Sequence, residues 1–140
     1  MMRLLIAALV LLAASLAAWA TEVTSADAAA IRAVVQRQLD AFARDDARRA
    51  FSLATSGIRA RFATAEAFMA MVRADYPVVY RPKRVDFEKP VVIEGEIVQP
   101  VRMIDAEGVA WIAVYPMERQ TNGSWRINGC QLAKMGGRQV

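Results

Sequence analysis

The sequence predicts an α+β domain in which about three N-terminal helices pack on a curved antiparallel sheet of about four strands. Apolar residues recur at helical spacing before residue 77. After that residue, short segments alternate apolar and polar side chains and are separated by turn signals such as Asn122-Gly123. Helices followed by a strand meander are typical of α+β domains. A sheet with one apolar face gives amphipathic helices a surface on which to lie.

The N-terminus carries the pattern of an export signal. Met1-Met2-Arg3 precedes an apolar run from Leu4 to Ala17, and Ala18-Trp19-Ala20 has the small residues of a cleavage site. We therefore expect a signal peptide over residues 1–20, cleaved near Ala20, and one periplasmic or secreted domain over residues 21–140. The alternative is an uncleaved anchor, because the run approaches the ~20 residues that cross a bilayer. After cleavage we expect no transmembrane span.

The composition fits this division. Of the 140 residues, 56% are hydrophobic, and eighteen of these lie in the first twenty positions. The rest of the chain is about half hydrophobic, which is ordinary for a globular domain. The net charge of +4 is too small for a nucleic-acid-binding surface, so we predict no nucleic-acid partner.

Three amphipathic helices are predicted, each with a polar cap. The first spans about 26–44, with a buried stripe made of Ile31, Val34, Val35, Leu39 and Phe42. Asp45-Asp46 caps the second, whose apolar side holds Phe51, Ala54 and Ile58 and which we expect Gly57 to end. Thr64 caps the third, which Pro77 ends and whose apolar face holds Phe68, Met71, Val72 and Tyr76.

Four strands follow. Val85 to Ile93 is predicted as a strand bent at Pro90. Glu96 to Ile104 and Val109 to Arg119 each present one apolar face, the second made of Trp111, Ala113, Tyr115 and Met117. In Ser124 to Ala133, apolar residues change from odd to even positions. A bulge at Asn128-Gly129 would place Trp125, Ile127, Cys130 and Leu132 on one face.

The residue inventory excludes most catalytic chemistry. There is no histidine, which removes imidazole bases, Ser-His-Asp triads and histidine-based zinc sites. Cys130 is the one cysteine, and no phosphate-loop or dinucleotide fingerprint occurs. We therefore predict no metal and no cofactor. Cys130 is interpreted as a buried thiol, with an intermolecular disulfide as the alternative.

Carboxylate and phenol chemistry remains. Weak candidates for a base and an oxyanion-stabilising hydroxyl are Asp40, Asp75, Tyr76 and Tyr80. The non-catalytic alternative for Asp40 is an ion pair with Arg37 or Arg44 on a solvated helix face. No spacing identifies these residues as one set.

Two sets of residues are candidates for binding. Aromatic residues that suit an apolar ligand are Tyr76, Tyr80, Trp111 and Tyr115, with ordinary core packing as the alternative. Arginines at the junction of helices and sheet that suit an anion are Arg59, Arg61, Arg81 and Arg84, with a solvated rim as the alternative.

Several of these segments resemble a known family. They are Gly57-Ile58-Arg59-Ala60-Arg61-Phe62, the Phe68, Val72 and Tyr76-Pro77 spacing, Tyr80-Arg81-Pro82, and Trp125-Arg126-Ile127-Asn128-Gly129-Cys130-Gln131-Leu132. Over about residues 27–135 the chain resembles the domain-of-unknown-function 4864 family. That family is grouped with the cone-shaped α+β fold of nuclear transport factor 2-like (cystatin-like) proteins. The resemblance implies a cone-like fold. It supplies no functional residues, because the family has no established activity.

The expected function is non-enzymatic binding of a small apolar or amphipathic ligand, or of a protein partner, in the cell envelope. One alternative is a small isomerase, dehydratase or hydrolase that uses Asp and Tyr, since the wider superfamily includes such enzymes beside non-enzymes. The other is a structural module that forms a homodimer. The missing catalytic constellations favour a binding protein.

Overall fold

The structure, a computed structural model, describes residues 23–136. The predicted signal peptide, residues 1–20, lies outside the described residues. Within 23–136 no helix combines the length and the apolar character that a bilayer span requires. The α+β prediction is confirmed, because helices occupy the first half of the described chain and a strongly curled antiparallel sheet follows as a half-barrel.

The helices begin where the sequence places their caps. They are α1 (Ser25–Ala43), α2 (Ala47–Ser52), α3 (Ser56–Arg59), α4 (Ala65–Asp75) and α5 (Pro77–Tyr80). The side chains of Thr24, Asp46 and Thr64 each accept a backbone N–H three residues on, in α1, α2 and α4. Each bond satisfies one of the free N–H groups at a helix start.

The short helices α3 and α5 depart from the sequence prediction. Gly57 was wrongly expected to end the second helix, and it lies inside α3. The chain leaves α2 because Leu53 O and Thr55 N bond to the backbone of Ile127 at 2.9 Å each, which ties this segment to the sheet. Pro77 follows the end of α4 as expected, but it also starts α5, where the missing N–H costs nothing.

The strands are β1 (Arg84–Phe87), β2 (Val91–Ile93), β3 (Glu96–Ile104), β4 (Ala110–Arg119), β5 (Trp125–Ile127) and β6 (Gln131–Lys134). The long strands β3 and β4 pair at the centre, in a register that runs from Ile97 opposite Met117 to Ile104 opposite Ala110. β1 and β2 both pair with β3, whereas β5 and β6 both pair with β4.

Two of the four predicted strands are interrupted, which accounts for the difference between four and six. The first breaks at residues 88–90, where Pro90 was expected to bend it. The last breaks at residues 128–130, where Gly129 has φ +109°, a conformation that L side chains rarely adopt. This break changes the side-chain phase as expected, so that Ile127 and Cys130 lie on the wall of one cavity.

The core lies between the helices and the curled sheet. The predicted stripe of α1 is buried throughout, and Phe68 and Val72 of α4 are buried beside it. From the sheet, the main buried side chains are Val101, Met103, Ala113, Tyr115 and Met117. Helix-facing positions on β3 and β4 therefore follow the alternation that the sequence displays.

Candidate functional site

A cavity of about 290 Å³ lies between the helices and the sheet. Its walls come from every layer of the fold, and most of the groups that line it are apolar. The lining residues are Gln38, Phe42, Ala54, Ile58, Arg61, Phe62, Phe68, Met71, Val72, Tyr76, Val79, Tyr115, Ile127, Gly129 and Cys130. No carboxylate lines this cavity among residues 23–136.

Phenylalanine rings build the helical wall. Phe68 packs against Phe42, Phe51 and Phe62, with ring centroids 6.0, 5.3 and 5.4 Å away. Phe62 meets Phe68 edge to face, at an interplanar angle of 76°. Aromatic contacts of this kind are rigid and hold a defined surface. The cavity wall is therefore a packed cluster and not a set of loose side chains.

The hydroxyl of Tyr115 is the most isolated polar group of the site. The residue is 1% exposed, and its hydroxyl has no hydrogen-bond partner among the described residues. Burial raises the pKa of Tyr115 well above its usual value, so the hydroxyl is neutral and available as a donor. An unpaired buried hydroxyl costs about 1–3 kcal/mol. A ligand with an acceptor oxygen would recover that free energy.

Cys130 lies beside this hydroxyl on the sheet wall. The two groups are close enough to perturb each other's pKa but do not meet hydrogen-bond geometry. Burial raises the pKa of the Cys130 thiol to about 12, which contacts with Tyr115 and the Val114 backbone only partly offset. The thiol is therefore protonated at neutral pH and is not a nucleophile. Cys130 as a residue is half-buried, whereas the sequence interpretation was a buried thiol.

Gln38 is a polar lining residue that the sequence analysis missed. It is 4% exposed, and its amide Nε2 donates to Ala50 O at 3.1 Å. A signal was available, because Gln38 lies three residues after Val35 and four before Phe42, within the apolar stripe of α1. A polar side chain on such a stripe is either paired inside the core or part of a site, and Gln38 is both.

Arg61 lines the cavity while its side chain is exposed, so it lies where the cavity meets solvent. The neighbouring Arg59 donates from Nη1 to Ala54 O at 3.0 Å. Arg126, next to the lining residue Ile127, donates from Nη1 to Ser52 O at 2.9 Å. One guanidinium group, that of Arg61, therefore lies at the opening, in contrast to the largely apolar interior.

A family model for a domain of unknown function, DUF4864, matches residues 24–140. The chain belongs to this family. No curated protein and no solved structure matches the chain. The DUF4864 match covers every element that builds the cavity, from α1 to β6. The name of the family assigns no activity, so the geometry of the site carries the functional argument.

In this DUF4864 fold, the four predicted aromatic residues divide between two places. Tyr115 lies in the cavity, and Tyr76 lines both the cavity and a broader surface depression. Tyr80 and Trp111 line only the depression. There the indole Nε1 of Trp111 donates to Asp105 at 2.9 Å, which lowers the pKa of that carboxyl.

The predicted catalytic carboxylates lie away from the cavity. Asp40 accepts a hydrogen bond of 3.0 Å from the Gln36 amide, and forms no ion pair with Arg37 or Arg44, contrary to the sequence interpretation, within residues 23–136. Asp75 is exposed at the edge of the surface depression. Among the described residues no group of three or more acidic or cysteine side chains has metal-binding geometry.

The four predicted anion-binding arginines do not form one site. Arg84 pairs with Asp86 at 2.8 Å, and Arg81 pairs with Asp45 at 3.1 Å. Only Arg59 and Arg61 lie near the cavity, where Arg126 joins them from the sheet. The sequence could not reveal this regrouping, because residue 126 follows residue 61 by sixty-five positions.

Arg81 belongs instead to a cluster at the corner of α1 and α5. Asp45 accepts from the Tyr80 hydroxyl and pairs with Arg81 and, at 3.5 Å, with Arg73. Both guanidinium groups also lie over the Tyr80 ring, at 4.1 and 5.2 Å from its centroid. The Tyr80 hydrogen bond, followed by the two arginines, lowers the pKa of Asp45. Every charge in this cluster has a partner.

Proposed function

We propose that this protein binds a small amphipathic ligand in the cavity between its helices and its sheet. The observation that carries the proposal is that Tyr115, which lines this largely apolar cavity, has a buried hydroxyl with no partner among residues 23–136. Ligand sites in proteins are largely apolar, with a few placed polar groups that orient the ligand. A largely apolar cavity with few donors fits a ligand whose apolar body carries one acceptor oxygen.

The size of the cavity limits the ligand. Its volume of about 290 Å³ lies just below the ~300–1,000 Å³ range of ligand pockets. A dry cavity of ~150 Å³ binds benzene. A single medium-length chain or a ligand of about two rings therefore matches this site better than a large cofactor.

We also propose that the protein acts outside the cytoplasm and shares the cone-like fold of the nuclear transport factor 2-like superfamily. The export proposal rests on the basic, apolar and small-residue order of residues 1–20. The superfamily proposal rests on helices lying against a strongly curled sheet. Sequencing the N-terminus of protein recovered from a bacterial periplasm tests export, with Thr21 expected first. A start at Met1 contradicts it.

An enzyme of the Asp-and-Tyr type is the weaker alternative for this cavity. Such an enzyme needs a carboxylate within reach of the tyrosine hydroxyl. The described cavity wall supplies no carboxylate, and the neighbouring Cys130 is held as a thiol. The available chemistry is hydrogen-bond donation in an apolar space, which suits binding.

A neutral ketone is the probe that tests the proposal. We expect decanone to bind the purified protein saturably by calorimetry, because its carbonyl accepts from Tyr115 and its chain fills the cavity. Ile58→Trp, which places a larger side chain on the cavity wall, should abolish binding. The matched control Val92→Trp, at an exposed strand position, should leave it unchanged.

Tyr115→Phe separates specific from unspecific binding. The variant keeps the ring and removes only the donor, so decanone should bind about tenfold more weakly while decane is unaffected. Equal decanone binding by the wild type and both cavity variants would contradict the proposal. Circular dichroism establishes that each variant is folded.

A further inference from the structure

Two half-buried arginines converge on one carbonyl oxygen, two residues before the cavity-lining Ala54. Arg59 Nη1 donates to Ser52 O at 3.5 Å, and Arg126 Nη1 donates to the same oxygen at 2.9 Å. One carbonyl oxygen thus holds two guanidinium groups from segments that are far apart in sequence. Like charges at this separation repel each other, and the repulsion is greater where water is partly excluded.

Neither arginine is neutralised by a carboxylate. The ion pairs of residues 23–136 involve Arg73, Arg81, Arg84, Arg102 and Arg119, and not this pair. Residues 47–65, which include Ser52 and Arg59, contain four arginines and no acidic residue. On the sheet Glu118 stands opposite Arg126, without forming an ion pair with it. Charged groups that are partly buried normally have an opposite charge nearby. An anion at this place would supply it.

The arginine pair is joined to the cavity through the backbone. Arg59 also donates to the carbonyl of Ala54, whose side chain lines the cavity. Arg126 precedes the lining residue Ile127 on β5, so its side chain leaves the opposite face of the strand and meets Arg59 at Ser52 O. Ile58 of α3 and the following Arg61 line the cavity themselves. A third guanidinium group, that of Arg61, therefore stands at the opening itself.

We propose that the ligand carries an oxyanion, a carboxylate or a phosphate, which Arg61 and Arg59 hold at the opening while the apolar body enters the cavity, with Arg126 adding positive charge beside Arg59. This inference rests on the proposed function and adds the charge and the orientation of the ligand. Guanidinium groups bind both oxyanions through paired, charge-assisted hydrogen bonds. The acceptor oxygen that meets Tyr115 then lies within the chain, as in an oxo or hydroxy acid.

A matched pair of ligands tests the inference. One is decanone, and the other is an oxodecanoate of the same chain length. At low salt the oxo acid should bind at least about tenfold more tightly than the ketone, and added sodium chloride should reduce this advantage. Inorganic phosphate alone should bind much more weakly than the oxo acid, because it leaves the cavity unfilled.

Arginine variants locate the effect. Arg61→Gln, at an exposed position, and the double variant Arg59→Gln with Arg126→Gln should each reduce the preference for the acid over the ketone. Arg102→Gln is the control, because Arg102 lies on β3 and already pairs with Glu88, at 2.7 Å. If the pair only ties the end of α2 to the sheet, the double variant melts at a lower temperature with an unchanged acid-to-ketone ratio.

The outcomes separate the two proposals. Equal affinity for acid and ketone, or an acid-to-ketone ratio insensitive to Arg61→Gln and the double variant, overturns the anionic head group and leaves the binding function standing. Phosphate binding as tight as that of the oxo acid, with no ketone binding, overturns the amphiphile and leaves a free-anion site. Absence of binding by ketone and acid overturns both proposals together.

Discussion

Tyr115 and Tyr80 each carry a phenolic hydroxyl, but the first lies in apolar surroundings and the second among charged groups. Tyr115 is buried on an apolar wall, and no described group pairs with its hydroxyl. Tyr80 donates to Asp45 while two arginines lie over its ring. In the corner around Tyr80, each charged side chain has an oppositely charged partner, so its interactions stabilise the fold. The cavity is incomplete in both its donor and its charges, which is the property expected of a binding site.

The largest expected effect comes from removing the aromatic wall. Phe68→Ala should lower the free energy of unfolding by about 3–5 kcal/mol, because Phe68 is buried and three rings lose their contact with it. Urea denaturation measures the loss. Tyr80→Ala, in the half-buried charged corner, should cost clearly less. Equal losses would mean that the two regions do not differ in packing.

Alkaline pH should lower the free energy of unfolding through the thiol of Cys130, which lines the cavity. The folded protein holds this thiol protonated to about pH 12, whereas the unfolded chain loses the proton near its ordinary pKa of 9.0. Because the folded pKa is raised for an acid, this contribution to stability is constant below pH 9 and falls as the pH rises towards 12.

Cys130→Ala isolates the effect. At pH 7 the variant should be less stable than the wild type, since it loses packing. Between pH 9 and pH 11 the difference should shrink, because only the wild type carries the thiol that disfavours folding at high pH. Urea denaturation at several pH values checks this. A difference independent of pH would mean that the thiol is not held in its protonated form.

Paired tyrosine variants compare the two hydroxyls directly. Without ligand, Tyr115→Phe should leave stability unchanged or raise it by about 1 kcal/mol, because it removes an unpaired buried donor. Tyr80→Phe should lower stability by at most about 1 kcal/mol, because its partner Asp45 is exposed. Thermal melts report both signs. A clear loss in Tyr115→Phe would show that its hydroxyl is already satisfied.

The smallest expected effect is that of Asp45→Asn. Asn tolerates the positive φ of 53° at this position, so the substitution removes mainly the charge. The pKa of Asp45 is lowered in the folded state, so its contribution is present above pH 3.8 and is lost as the pH falls further. The variant should therefore be slightly less stable at pH 7 and indistinguishable from the wild type at pH 2. Asp86→Asn, which removes one exposed ion pair, is the control.

Local sequence patterns were sufficient to predict most elements. β3 was predicted with its observed bounds, and Asp46 and Thr64 cap α2 and α4 as predicted. These features depend on residues within a few positions of one another. Gly57 was misassigned because the backbone bonds between residues 53–55 and Ile127, which end α2, come from a distant strand.

The site was predicted less completely. Tyr115 was placed on the inward face by strand alternation, but Tyr80 and Trp111, grouped with it, line another surface. Gln38 was missed although it lies at the spacing of the apolar stripe of α1. Nothing in the local sequence around Arg126 predicts that it meets Arg59. Aromatic and basic residue types identify candidates. Only the packing of α1, α3, α4 and the sheet determines which of them meet.

By itself, the sequence determined the α+β order, the strand phases and the restricted chemistry of a chain without histidine, because these follow from local spacing and composition. Tertiary structure decided which polar groups are left without partners. Among the described residues the Tyr115 hydroxyl has no partner, and Arg59 and Arg126 share a carbonyl oxygen without an ion pair, because the groups around them come from segments distant in the chain. Whether a polar or charged group finds a partner depends on the residues that surround it in the folded chain, and the residue type alone does not specify them.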